Sequence, residues 1–126
     1  MARRKSLKPT DRELTILRIL WDKGPCTVRK VNEVMSQNEE TGYTTTLKLM
    51  QIMTEKSLLA RDESTFKHVY RPALTEEKAQ KQLVGDLLDK VFSGSAEKLV
   101  MRALSAKKIT SKELERIRKM LDELGE

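Results

Sequence analysis

The stretch Gly42–Lys56, with the sequence GYTTTLKLMQIMTEK, decides how the rest of the chain is interpreted. Leu49 and Met50 precede Met53 by four and three residues, which predicts one apolar face of a helix. Hydroxyl, ammonium and amide groups fall on another face, which carries Thr44, Thr45, Lys48 and Gln51. Such groups bond to base edges and phosphates, but a solvated surface helix has the same pattern. The flanking sequence therefore has to decide between the two interpretations.

Two short helices are predicted before this stretch. Thr10 and Glu13 have the spacing of a capping box, so the first helix begins here. Lys23–Pro25 ends it, because the glycine takes a left-handed cap and the proline cannot continue a helix. Thr27 is the predicted N-cap of the second helix, whose valines and Met35 face inward. The polar segment that follows is then the turn before the third helix.

A β-hairpin is predicted after the stretch. Its strands are assigned to Leu58–Glu63 and Phe66–Arg71, on either side of a turn at Ser64–Thr65. Pro72 is expected to end the hairpin, since proline has no N–H to donate to a ladder. Three helices and a two-stranded hairpin describe a winged helix-turn-helix, in which the third helix enters the major groove of DNA and the hairpin, or wing, reaches the neighbouring backbone.

Charge is distributed unevenly along the 126 residues, whose net charge is +6. Residues 1–74 hold 14 basic side chains against 9 acidic ones, whereas residues 75–126 hold 11 against 10. A basic half joined to a near-neutral half indicates one part that binds a polyanion and another part with a different task. We therefore predict two domains, a winged-helix DNA-binding domain at 1–74 and a three-helix domain at 75–126.

The three helices of the second domain are predicted to be amphipathic. The first begins at Thr75, the second follows the cap candidate Ser95, and the third starts with a capping-box pattern at Thr110. So many apolar faces cannot all be covered beside a small winged domain, and paired DNA half-sites need a two-fold protein. We predict a homodimer whose contacts come from Leu87, Leu88, Val91, Leu99, Val100, Ala103, Leu114, Ile117, Leu121 and Leu124. The alternative is a monomeric helical appendage packed on the N-terminal domain.

The predicted fold class is thus mainly α, a winged helix-turn-helix followed by a helical dimerisation domain. No segment approaches the roughly 18 consecutive apolar residues of a membrane span. The basic N-terminus lacks the apolar core of a secretory signal, so we expect no contact with membranes. A single cysteine, Cys26, excludes an internal disulfide and is typical of a reducing cytoplasm, where we expect the protein to act.

Enzymatic and metal-binding functions find little support in the residues. With one cysteine and one histidine, His68, the chain has no zinc-site spacing, and we predict neither an enzyme nor a bound metal or cofactor. His68 is interpreted as a solvated or hydrogen-bonded residue of the wing. Cys26 precedes a helix N-terminus, where a lowered thiol pKa would make it a redox sensor, but a lone cysteine more often only packs.

Several segments resemble the penicillinase-repressor family, which includes the methicillin-resistance and copper-responsive repressors. No single segment is decisive, but their order and spacing cover nearly the full chain. The resemblance implies a dimeric winged-helix repressor that binds a palindromic operator, typically built on TACA and TGTA half-sites. In chain order the matching segments are residues 14–21 (LTILRILW), 43–47 (YTTTL), 55–59 (EKSLL), 69–72 (VYRP), 92–95 (FSGS) and 111–115 (SKELE).

The resemblance also implies which residues contact DNA. Family base contacts come from the start of the third helix and match Thr44, Thr45 and Lys48, to which we add Gln51 because it shares their face. Lys48 stands where many members have a second threonine. Thr46 stands where valine or isoleucine is usual, so we expect it to be buried. Contacts to the DNA backbone are predicted for Arg3, Arg4, Lys5, Thr27, Arg29, Tyr43, Lys67 and Arg71.

Two further departures from the family concern the turn after the third helix and the relief of repression. Ser57 replaces the usual glycine of that turn. Penicillinase-type members are cleaved at an Asn-Phe bond in the middle C-terminal helix, and the matching bond here is Arg102–Ala103. Copper-responsive members carry a C-terminal cysteine pair, which this chain lacks. The sequence leaves open whether a sensor-linked protease is a partner, at which bond it cleaves and which signal induces it.

Two other functions fit parts of the pattern. A helical protein-interaction adaptor would use the winged domain without specific DNA binding, but it needs no basic bias in residues 1–74. A small-molecule-sensing regulator of the multiple-antibiotic-resistance type needs a ligand pocket at the domain junction. Such regulators usually have helices before the DNA-binding unit, which begins here near residue 10.

Overall fold

The structure, a computed structural model, describes residues 8–125 and is mainly helical over them. These residues form six α-helices and one antiparallel pair of strands. They fall into two compact units, one ending at Leu83 and the other beginning at Val84. In this part of the chain no helix is long and apolar enough to cross a membrane. In chain order the elements are α1 (Asp11–Lys23), α2 (Val28–Met35), α3 (Tyr43–Glu55), β1 (Leu59–Asp62), β2 (Val69–Pro72), α4 (Glu76–Lys90), α5 (Ala96–Ser105) and α6 (Ser111–Leu124).

Helix α1 begins with the predicted capping box. The Thr10 hydroxyl accepts a hydrogen bond from the Glu13 amide at 3.2 Å, and the Glu13 carboxylate accepts one from the Thr10 amide at 3.0 Å. The helix ends at Gly24, whose φ of 87° lies in the left-handed region that favours glycine. The predictions for both ends of α1 are therefore confirmed.

The helix-turn-helix consists of α2 and α3. Thr27 caps α2, because its hydroxyl accepts a hydrogen bond from the Lys30 amide at 3.2 Å. Helix α3 begins at Tyr43, and its Met50 and Met53 are fully buried, as their spacing predicts. Leu49, predicted on the same apolar face, is only partly buried.

The wing has shorter strands than the sequence predicts. Strand β1 pairs with β2 from Leu59 opposite Pro72 to Asp62 opposite Val69. The predicted strands 58–63 and 66–71 are therefore wrong at their ends, and residues 63–68 form a loop in place of a tight turn. Pro72 belongs to the ladder, and the next amide, that of Ala73, donates to the Leu58 carbonyl at 2.9 Å. The proline fits there because the hydrogen bond at this end of the ladder comes from Ala73, so no N–H is needed at position 72.

Cys26 adds a one-residue bridge to the wing. Its amide donates to the Tyr70 carbonyl at 3.0 Å, and the Tyr70 amide donates to the Cys26 carbonyl at 2.8 Å. These two bonds hold the start of α2 against β2. Tyr70 itself is 2% exposed, which makes the wing part of the core and not an appendage.

The core of the first unit lies where α1, α2, α3 and the wing meet. The Trp21 indole N–H at its edge donates to the Leu74 carbonyl at 2.9 Å, and Ala79 near the start of α4 is buried. Within the described residues every buried side-chain nitrogen and oxygen has a hydrogen-bond partner. The buried apolar residues are Ile16, Leu17, Ile19, Leu20, Cys26, Val28, Val31, Met35, Met50, Met53, Leu58, Leu59 and Tyr70.

The second unit contains the end of α4, then α5 and α6. Helix α4 ends at Lys90, and the left-handed Ser93 and Gly94 follow it. The predicted caps are present, since the Ser95 hydroxyl accepts from the Lys98 amide and the Thr110 hydroxyl accepts from the Glu113 amide, both at 3.1 Å. No side chain of α5 or α6 is buried within a single chain.

Candidate nucleic-acid interface

The four predicted base-reading side chains share the exposed surface of α3. Thr44, Thr45, Lys48 and Gln51 are all exposed, whereas Thr46 between them is fully buried. The expectation that Thr46 belongs to the core is therefore confirmed. The exposed face offers hydroxyls, an ammonium group and a carboxamide, a set that donates to and accepts from base edges.

A buried polar network holds the start of α3 against α2. The Asn32 side-chain amide donates to the Thr46 hydroxyl at 2.9 Å and to the Thr41 carbonyl at 2.8 Å. The Ser36 hydroxyl donates to the same carbonyl at 3.1 Å. The buried Thr46 hydroxyl thus has a partner on α2. This network ties together both helices and the turn between them.

A buried ion pair holds the other end of α3. The Lys56 ammonium donates to both carboxylate oxygens of Glu13 at 2.9 and 3.0 Å, and the Glu13 side chain is 3% exposed. Glu13 thus serves both the capping box of α1 and the C-terminus of α3. Ser57 follows with a φ of 68°, a conformation that costs a non-glycine residue roughly 1 kcal/mol. A glycine at this position would avoid that cost.

A groove of about 270 Å³ brings together four of the predicted backbone-contacting residues. It lies between the starts of α2 and α3 and the loop of the wing. The Arg29 guanidinium lies 5.9 Å from the centre of the Tyr43 ring, a cation–π distance. Its described lining contains no carboxylate, so the groove suits an anionic ligand. The lining residues are Thr27, Val28, Arg29, Tyr43, Leu47, Phe66, Lys67, His68 and Tyr70.

Both carboxylates of the wing, those of Asp62 and Glu63, accept hydrogen bonds from neighbouring residues. Glu63 accepts from the Arg61 guanidinium at 2.6 Å. Hydrogen bonds from Ser64 hold the pKa of the Asp62 carboxyl below its usual range, and the positive charge of Arg71 acts in the same direction. Lys67 and Arg71 are exposed, the first in the loop and the second on β2. Arg71 is not among the residues that line the groove, so the structure brings Lys67 but not Arg71 to it.

The thiol of Cys26 lacks the property that a redox sensor needs. Burial raises its pKa above the ordinary value, and the charges of Lys30 and Lys23 oppose this only in part. The sulfur donates to the Gly24 carbonyl at 3.2 Å, and the residue is 8% exposed. The lowered pKa considered for this cysteine is therefore wrong, because desolvation by burial outweighs the two lysine charges. Cys26 is a packing residue.

None of the predicted dimer contacts is buried in a single chain. Val91, Leu121 and Leu124 are 64%, 56% and 82% exposed. Four others are half-buried: Leu88, Leu99, Leu114 and Ile117. Leu87, Val100 and Ala103 are exposed. Large apolar side chains in such number on α4, α5 and α6 are typical of an interaction surface.

Arg3, Arg4 and Lys5 of the basic arm lie outside the described residues. Over the part of the chain that is described, no three histidine, cysteine, aspartate or glutamate side chains come together to hold a metal ion.

Sequence reasoning missed two residues of this region. Asn32 bonds to partners 9 and 14 residues away, and no local pattern connects them. Phe66 was assigned to a strand by its alternation, but it lies in the loop of the wing and is 98% exposed. Its neighbours Ser64 and Thr65 are turn formers, and they were the available signal for a longer loop.

Comparison with known proteins places this arrangement in one family. The profile of the family described as penicillinase repressor matches residues 9–123 of the chain. No curated protein matches it.

Proposed function

The chain belongs to the penicillinase repressor family, and from this premise we propose that it is a repressor of transcription that binds a palindromic operator as a homodimer. The observation that carries the proposal is the exposed polar face of α3, which stands beside a groove without carboxylates. A helix that enters the major groove reads base edges with such side chains, while its neighbours bind phosphates.

Each set of side chains has its own task in this proposal. Thr44, Thr45, Lys48 and Gln51 read bases, because they occupy the face of α3 that the core leaves free. Two polar anchors, Asn32 at one end of α3 and Glu13 at the other, keep that face oriented. The backbone contacts are Thr27, Arg29, Tyr43, Lys67 and Arg71, together with the arm residues Arg3, Arg4 and Lys5.

We propose that the homodimer forms through the apolar surface of the second unit. None of the apolar residues of α5 and α6 is buried in one chain, and the partner that we propose is a second copy of the same surface. A two-fold dimer presents two α3 helices to two half-sites, which is why the operator is proposed to be palindromic.

Relief of repression is proposed to occur by proteolysis in the C-terminal domain. The residues flanking the bond that aligns with the family cleavage site, Arg102 and Ala103, are exposed on α5. Cutting there separates α6 from the rest of the dimer surface. The mass of the chain, measured in cells before and after derepression, tests this step. Full-length chain alone in derepressed cells would exclude it.

A gel-shift experiment tests the DNA-binding proposal. The full chain is titrated onto a duplex spanning the region upstream of its own operon, with a shuffled duplex as control. Binding to the upstream duplex should be tighter, and it should weaken by tenfold or more between about 50 and about 200 mM salt. Equal binding to both duplexes refutes the specific operator. The absence of any salt-sensitive shift favours the protein-interaction adaptor.

A further inference from the structure

The loop of the wing exposes an aromatic side chain, that of Phe66, which has no role in the proposed contacts to the DNA backbone. Phe66 is 98% exposed, the highest value among the large apolar side chains described. Phe66 does not belong to the core of the first unit, whereas Tyr70 on the adjoining strand does. A ring in that position is available to a binding partner without any rearrangement of the fold.

Two short-range hydrogen bonds of the loop involve residues near Phe66 in the chain. On one side the Asp62 carboxylate accepts from the Ser64 amide at 2.9 Å, and on the other the Thr65 hydroxyl donates to the Lys67 carbonyl at 2.6 Å. Neither bond involves the Phe66 side chain, so its replacement leaves the loop and the core intact. Variants at this position therefore report on binding and not on folding.

The surroundings of the ring define the chemistry of its partner. Phe66 lines the same groove as Arg29, Tyr43 and Lys67, at the start of α3. An apolar ring among cations suits a surface with anionic edges and apolar walls. The minor groove of DNA is such a surface, since phosphates flank it and deoxyribose C–H groups form its sides. A wing that reaches the backbone beside the major groove brings its loop to the edge of the adjacent minor groove, because each backbone strand borders both grooves.

We infer that Phe66 is a minor-groove contact, which packs its ring against the sugars or between base steps just outside each half-site. This inference rests on the proposed DNA-binding function and adds a contact that is apolar and independent of salt. It predicts a preference for flanks that deform easily, such as pyrimidine–purine steps, because apolar wedges partly unstack the bases they meet.

The test compares Phe66→Ala and Phe66→Leu with Lys67→Ala, a neighbouring change that removes a charge. The probe is the duplex that the wild-type chain selects from a random-sequence library, with dissociation constants measured by anisotropy over a range of salt. Phe66→Ala should weaken binding by about tenfold at every salt concentration, whereas Phe66→Leu should lose less. Lys67→Ala should instead flatten the slope of log affinity against log salt by about one.

Two readouts locate the contact. Hydroxyl-radical cleavage of the selected duplex should show protected sugars in the flanks with wild type and with Lys67→Ala, but not with Phe66→Ala. On a duplex cut at the outer edge of the half-sites, wild type and Phe66→Ala should bind equally well. Unchanged affinity of Phe66→Ala on the long duplex, or an equal loss on the cut duplex, overturns the inference. If the wild-type chain selects no duplex, the proposed function fails first and the Phe66 contact fails with it.

Discussion

Lys48 stands on the exposed face of α3, at a position where the resemblance to the family implies a second threonine in many members. An ammonium group donates to guanine O6 and N7, whereas a threonine hydroxyl serves either base of a pair. Lys48→Ala should therefore cost about 1–3 kcal/mol on the preferred operator and change the base preferred at one position. Binding-site selection with wild type and variant, followed by titration of both duplexes, measures the two effects.

Removal of a charge that contacts only phosphate should affect DNA binding differently, and such a variant serves as the control. Arg71→Ala should weaken binding to specific and random duplexes alike and reduce the salt dependence. If Lys48→Ala also lowers both affinities by the same factor, Lys48 contacts the backbone and the base-reading assignment is wrong.

The thiol of Cys26 gives a prediction that depends on pH. Burial raises its pKa in the folded chain, so the unfolded chain loses the thiol proton first as pH rises. The stability that this thiol contributes is complete below the unfolded pKa and is lost as pH rises through the folded pKa. Alkylation by iodoacetamide near pH 8 should be slower in the folded chain than in urea, because a buried thiol with a raised pKa is less reactive. Equal rates would show that the thiol is open to reagents.

At the scale of elements, α3 offers a test of its polar anchor. Thr46→Val removes the hydroxyl that accepts from Asn32 and leaves one amide hydrogen without a partner, which should cost about 1 kcal/mol of unfolding free energy. Asn32→Leu alone leaves the buried Thr46 hydroxyl without its donor. The double variant removes both partners, so its loss should be smaller than the sum of the single losses by about 1 kcal/mol.

Urea unfolding of the four chains measures this coupling. Strictly additive losses would contradict the bond between Asn32 and Thr46. Ser36→Ala is a matched control, because its hydroxyl donates to the Thr41 carbonyl but does not contact Thr46. The unfolding free energy lost in Ser36→Ala should add to the loss in Thr46→Val.

The elements differ in how well the sequence predicts them. Helix starts were predicted well, since the caps at Thr10, Thr27, Ser95 and Thr110 act within three residues of their partners. The wing was predicted poorly at its ends, because the pairing of β1 and β2 depends on contacts across the loop and on the bridge to Cys26. Alternation of side chains alone does not determine where a strand ends.

For the whole molecule, the uncovered apolar surface of the second unit leads to a prediction about assembly. Leu121 is 56% exposed in a single chain and lies on α6. If it packs in a dimer, Leu121→Glu buries a charge there and should raise the dimer dissociation constant by about a hundredfold. Sedimentation over a range of concentrations should show a dimer for wild type and a monomer for the variant.

The control for this change is Lys112→Glu, which adds negative charge to an exposed polar position of the same helix. It should leave the dimer intact. A wild-type chain that sediments as a monomer at all concentrations would contradict the homodimer and favour the helical appendage.

The sequence by itself determined the features of this protein that depend on neighbours a few residues apart. These features are the helix caps, the apolar and polar faces of α3, and the order of helices and wing. Their physical cause is local: hydrogen bonds between near neighbours and helical periodicity. Only the tertiary structure decided that Glu13 pairs with Lys56, that Asn32 supports Thr46 and that Phe66 points away from the core. Those contacts join residues far apart in the chain, or place a residue at a loop tip, and packing of the whole unit brings them about.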